Sequence, residues 1–208
     1  MDEAIGTLLR FSLIKRKRDE STLSVHRLVQ AVLRNTMDAA TQRAWAEQMV
    51  RAVNVAFPDV TDYRNWPLHQ QYLPHAQACA ALIDYWEFVF PEAASLSNKV
   101  GYYLNDRARY AEAESFYQRA IAIGEQTLGP EHPNLATWLN NLANLYQTQG
   151  KYAKAESLYQ LAIAIDEKAL GPLHPDTSLV RESYVHFLRS LHREAEARQL
   201  EMRIADSL

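Results

Sequence analysis

A single cysteine, Cys79, leaves the chain unable to form an internal disulfide. That fits a reducing compartment, and a cytoplasmic location is expected. Only six glycines occur in 208 residues, so long stretches run without a breaker. No apolar run approaches the roughly 20 residues needed to cross a bilayer. Met1-Asp2-Glu3-Ala4 lacks the basic start and apolar core of a secretion signal. There is no excess of positive charge either. A net charge of −3 gives no global attraction to nucleic acid or anionic membrane. No G-x-x-x-x-G-K-[ST] segment occurs, so the chain has no phosphate loop of its own.

What is present favours helix. Hydrophobic residues make up 48% and charged residues 23%, ordinary values for a folded domain. Ala, Leu, Glu, Gln and Arg dominate the breaker-free stretches, and these are strong helix formers. The second half also repeats itself. Arg109-Tyr110-Ala111-Glu112-Ala113-Glu114-Ser115-Phe116-Tyr117 lies 42 residues before Lys151-Tyr152-Ala153-Lys154-Ala155-Glu156-Ser157-Leu158-Tyr159. The match runs on through Ala120-Ile121-Ala122-Ile123 and Ala162-Ile163-Ala164-Ile165. It ends at Leu128-Gly129-Pro130-Glu131-His132-Pro133 and Leu170-Gly171-Pro172-Leu173-His174-Pro175. A weaker third copy begins at Arg193-Glu194-Ala195-Glu196-Ala197. A fixed period of this size signals stacked supersecondary units.

Each unit reads as two helices. In the middle unit the first runs from about Asn134 to Gln149, with Leu139, Leu142, Ala143 and Tyr146 as one apolar stripe. Gly150 closes it, since glycine enters the left-handed cap without penalty. The second runs from about Tyr152 to Ala169 and packs through Ala155, Leu158, Tyr159 and Ala162. Gly171-Pro172 ends the unit.

The order Ala143, Tyr146, Gly150, Tyr152, Ala155, Tyr159, Ala162 resembles the tetratricopeptide repeat. The usual repeat is about 34 residues. The longer period, Leu-Asn-Asn-Leu-Ala at 139–143 and the Gly-Pro-x-His-Pro loops resemble the kinesin light chain subfamily. The resemblance implies a mainly all-α fold, an α-α superhelix of helix pairs, and a protein or peptide ligand on a concave face lined by the first helices. Carried over by register, the family's groove positions are Ser95, Asn98, Tyr102 and Asn105, then Thr137, Asn140, Asn144 and Gln147, then Leu179, Glu182, His186 and Arg189. All lie off the apolar stripe and are expected to face outward. Their amides suit an extended backbone, since each can donate and accept. The same residues also suit a merely solvated helix face. In the third copy Glu201 stands at the Tyr159 position and Arg181 at the Leu139 position. This is expected to be the polar face of a terminal cap, with Leu208 at or near the natural C-terminus.

The first 90 residues differ. Ser12-Leu13-Ile14-Lys15 and Thr22-Leu23-Ser24-Val25 read as two short strands around the turn Arg18-Asp19-Glu20-Ser21. A helix is expected from about His26 to Arg34. Glu3 to Phe11 reads as a helix end before the hairpin, and helix, hairpin, helix is the back half of a winged helix. Ser24-Val25-His26-Arg27-Leu28-Val29 resembles the Met-His-Asp motif that closes the winged helix of NB-ARC-type STAND NTPases, whose bacterial members often carry repeats behind it. The resemblance implies that His26 approaches the β-phosphate of ADP in a full-length parent. Arg27 replaces the motif's aspartate. ADP or ATP is then expected in an upstream domain that contacts this chain, with no cofactor in the chain itself. The expected division is 1–36 winged-helix end, 37–90 helical adaptor and 91–208 three repeats, at about 92–129, 130–171 and 172–208. Trp45, Trp66 and Trp86 are expected as core aromatics of the adaptor.

Other chemistry finds little support. Lys15-Arg16-Lys17-Arg18 could contact phosphates, which keeps a DNA-binding regulator as the second alternative, behind a free-standing peptide-docking scaffold. Asp19-Glu20 and the net acidic charge oppose DNA binding. His75 and Cys79 share a helix side, but two ligands are too few for zinc. His132 and His174 occupy equivalent loops. No nucleophile–base arrangement stands out, and the chain is not expected to be an enzyme, to bind metal, or to enter a membrane.

Overall fold

The computed structural model describes residues 14–16, 23–25 and 36–205. The chain divides into two compact units, residues 1–47 and 48–208. Within the first, strands β1 (Ile14–Arg16) and β2 (Leu23–Val25) pair antiparallel, with Ile14 opposite Val25. His26, Arg27 and the helix expected over 26–34 lie outside the described residues.

Helix α1 spans Ala39–Ala56 and α2 spans Trp66–Trp86, after a short 3₁₀ turn at Tyr63–Asn65. Asp38 starts α1 by accepting from the Thr41 backbone N–H at 2.7 Å, which also lowers its pKa. Pro58 follows the last turn of α1, and Trp66-Pro67 opens α2, where a missing N–H costs nothing. Pro74 is accommodated inside α2 without ending it. Three helix pairs follow. They are α3 (Pro91–Asp106) with α4 (Tyr110–Thr127), α5 (Pro133–Thr148) with α6 (Tyr152–Ala169), and α7 (Pro175–Ser190) with α8 (Glu194–Ala205). The fold class is mainly all-α.

Local chemistry sets the boundaries of the pairs. Each first helix carries proline at its first position. The histidine before it caps α5 and α7: Nδ1 of His132 accepts from the Asn134 N–H at 3.1 Å, and Nδ1 of His174 from the Asp176 N–H at 3.2 Å. The recurring Gly-Pro-x-His-Pro loop is therefore a helix stop joined to a helix start. Gly171 adopts φ +91°, a left-handed conformation that a side chain would strain.

Each first helix packs on its own second helix and on the first helix of the next pair, and each second helix packs on the next first helix. The core follows the expected stripe except at Leu158, which is half-buried: Leu139, Leu142, Ala143, Tyr146, Ala155, Tyr159 and Ala162 are all buried. The aromatic assignment needs correction. Trp45 is 59% exposed and Trp66 39%. Trp66 has one face covered by the Arg107 guanidinium, 4.3 Å from its ring centroid. The tryptophan buried in the pairs is Trp138, which fills the space that Gly124 leaves without a Cβ. His69, also buried, lies 5.4 Å from the Phe57 ring and stacks at 5.0 Å on Tyr103, tying α2 to α3.

Candidate protein-binding face

The first helices α3, α5 and α7 neighbour one another, so residues at equivalent register form rows across the three pairs. One row is Asn98, Asn140 and Glu182. The next are Tyr102, Asn144 and His186, then Asn105, Gln147 and Arg189.

The rows are not uniformly open. Asn98 is half-buried, and its Oδ1 accepts from Nδ2 of Asn141 at 3.0 Å, across α3 and α5. Asn140 corrects the expectation of an outward position: it is 7% exposed, and its Oδ1 has no partner. The reason is crowding. Helix α5 has packed neighbours in the pair before it and the pair after it, so more than one stripe is covered. Asn141, one residue on, makes the contact between first helices. Sequence reasoning passed over it although the Asn140-Asn141 doublet offered both.

Asn144 and Gln147 are half-buried and converge on one group. The Tyr159 hydroxyl of α6 lies 2.7 Å from Oδ1 of Asn144 and 2.8 Å from Oε1 of Gln147. A hydroxyl has one proton and both amide oxygens accept, so Tyr159 donates to one of them at a time or shares the proton between them. Burial pushes the Tyr159 hydroxyl pKa well above its ordinary value, keeping it protonated. In the first pair, Tyr102 is half-buried and its hydroxyl is raised by burial and by the charges of Asp106 and Asp59. Asn105 has a buried Oδ1 with no partner.

The third pair is charged. Glu182, His186 and Arg189 are exposed and, with Val185 and Glu201, line a pocket of about 190 Å³. Arg189 is held by Glu201 at 2.9 Å. Along the face, amides in the first two pairs thus give way to an ionic end. Arg181 does not belong to an outward polar face, which is a second correction. It is 4% exposed, with its guanidinium on Glu167 Oε1 at 2.6 Å and on the Pro172 carbonyl at 2.7 Å. Arg181 therefore replaces the core leucine of the preceding pair with an internally paired cation.

Among the described residues, no group of three or more His, Cys, Asp or Glu side chains is placed to hold a metal ion, and no helix is long and apolar enough to cross a membrane. Cys79 is buried, and burial pushes its thiol up to about 11, away from the reactive thiolate.

Comparison with known proteins agrees with the architecture. The chain is 34% identical over 141 residues to a nucleotide-binding leucine-rich repeat (NLR)-like protein of Hyaloscypha variabilis, a match covering 66% of this chain but 14% of that protein. The chain thus spans about one seventh of that relative's length. Among solved structures, the nearly identical TPR-like repeats of a Podosopora anserina protein described as a kinesin light chain match with a TM-score of 0.58 at 19% identity, covering 85% of this chain and 80% of that one. BtubC (BKLC) from P. vanneervenii matches with a TM-score of 0.52 at 18% identity, covering 83% and 76%. Residues 1–42 match a domain of unknown function, DUF7779. The tetratricopeptide repeat model matches residues 92–168 and 139–206, more than half of the sequence, and the chain belongs to the tetratricopeptide repeat family.

Proposed function

We propose that this chain is the sensor side of a longer STAND-type signalling protein, binding a protein or peptide along the face of α3, α5 and α7. The observation that carries the binding half is the fixed amide row. Tyr159 holds Asn144 and Gln147, and Asn141 holds Asn98. Their remaining donors and acceptors are oriented before a ligand arrives, which lowers the entropy lost on binding. An extended backbone suits such a row, and the charged end at Glu182, His186 and Arg189 suits a ligand with both signs of charge.

The switch half rests on the likeness to an NLR-like protein and on the Val25-His26-Arg27 segment. In this reading residues 1–36 end a winged helix, 37–90 form an adaptor, and 91–208 sense the ligand. ADP or ATP would belong to a preceding domain, and His26, which matches the family motif's histidine, would be the residue of this chain that serves its β-phosphate. A ligand on the repeats shifts the switch only by its differential affinity for the two states.

Two experiments separate the halves. Peptides selected from a random display library on the whole chain should bind roughly tenfold more weakly to Tyr102→Ala or His186→Ala, about 1.4 kcal/mol each. Unchanged binding in both, with loss in Leu161→Ala on α6, contradicts the face. A phosphate loop in the coding sequence preceding Met1 supports the switch, and a gene without one contradicts it.

A further inference from the structure

Asp166 sits on α6, 1% exposed, with no hydrogen-bond partner on either carboxylate oxygen. The titratable groups acting on it come from the start of α7: His174, which caps that helix, and Asp176 in its first turn. On its own helix, Glu167 is engaged with Arg181. One unit earlier, at the 42-residue spacing, the same position is Gly124, whose missing side chain admits Trp138 of the next first helix. The position therefore faces the junction between one pair and the next. At the second junction Val180 stands where Trp138 did, and the side chain on α6 is a carboxylate.

An unpaired carboxylate in such a place is costly, whereas the neutral acid is far less so. Burial, reinforced by Asp176 and opposed by His174, pushes the Asp166 carboxyl up to about 6. We propose that the α6–α7 junction is a proton-operated hinge, in which protonated Asp166 docks the third helix pair and ionised Asp166 loosens it. For an acid raised in the folded state, stability is full below its ordinary value of 3.8 and is lost as pH rises through about 6. Because α7 carries Glu182, His186 and Arg189, the hinge sets whether the charged end of the face continues from α5. The hinge operates whatever the face binds.

Hydrogen exchange on the full chain tests this, with rates corrected for intrinsic exchange at each pH. The opening equilibrium of α7 and α8 should rise about tenfold between pH 5 and 7.5 relative to α5, as a shift of this size implies. Asp166→Asn should abolish the rise. Asp166→Ala gives the same reading should the asparagine variant not fold. Histidine also titrates near this range, so His174→Asn, which can still cap α7, should retain the rise. No rise in the wild type, an equal rise in the Asp166 variants, or a rise abolished by His174→Asn alone overturns the hinge.

Discussion

The Glu114 carboxylate accepts a hydrogen bond from the Tyr146 hydroxyl at 3.0 Å, fastening the second helix of one pair to the first helix of the next. Lys151 reaches the same carboxylate at 3.0 Å. At the next junction Glu156 accepts from the Tyr184 hydroxyl at 3.0 Å and pairs with Arg193 at 2.9 Å. The glutamates and the cations keep the 42-residue spacing, but the tyrosines do not: Tyr184 comes one helical turn earlier in its helix than Tyr146 does. The same clasp is built twice from different register positions.

These clasps respond to acid. Burial raises the Glu114 pKa, but bonds from Lys151 and Tyr146 outweigh it, leaving a net lowering. The bond from Arg193 is the main cause of the lowering at Glu156. For a lowered acid, stability is present above its ordinary value of 4.5 and is lost as pH falls through the folded value. Thermal melts should therefore show a fall in midpoint below pH 4.5, smaller in the double variant Glu114→Gln/Glu156→Gln. An equal fall in both proteins would place the acid sensitivity elsewhere. The opposite sign at Asp166 means that the second junction should loosen at both ends of the pH range.

Gly124 presents a second test. Replacing a mid-helix glycine by alanine ordinarily stabilises by up to about 1 kcal/mol. Here a Cβ would overlap the Trp138 ring. Gly124→Ala should instead destabilise by about 1–3 kcal/mol in urea unfolding, and Gly124→Ala with Trp138→Leu should recover part of that loss. Stabilisation by the single change would show that the ring moves aside freely.

Arg181 separates an internal ion pair from a core position. Restoring the leucine of the preceding pair, Arg181→Leu, should be neutral or stabilising, because the desolvated guanidinium is removed and its Glu167 partner is 43% exposed. Arg181→Ala should cost about 2 kcal/mol or more through the cavity it leaves. Chemical denaturation of both variants gives the comparison, and a leucine variant as unstable as the alanine variant contradicts this view.

The repeat and its boundaries were legible because they are written in short-range chemistry. Gly150 and Gly171-Pro172 close helices, the helix expected from about Tyr152 to Ala169 has those limits, and the one expected from about Asn134 to Gln149 spans Pro133–Thr148, whereas the capping by His132 and His174 was not read from the sequence. Residues whose environment is set by a neighbouring pair were not legible. The pattern around Asn140 shows one apolar stripe, yet packing from the adjacent pairs buries Asn140 too. Arg181 reads as a surface cation until Glu167 and the Pro172 carbonyl are placed against it. Trp45 and Trp66 read as core by residue type, while Trp138 owes its burial to a glycine on another helix. A glycine inside a helical pattern is a sequence signal for close approach, and Gly124 carried that signal. The proposed binding residues were found by family register, and which of them are open depended on the packing.

Site-specific cross-linking tests the central claim, that the first-helix face is the binding surface. A photoreactive phenylalanine is placed singly at Tyr102 or His186 on that face, and at Tyr85 or Gln126, which are exposed elsewhere. Each protein is illuminated with a peptide enriched on the wild-type chain from a random display library. The account predicts covalent capture at positions 102 and 186 and none at 85 and 126. Capture at 85 or 126 with none at 102 and 186 would contradict it.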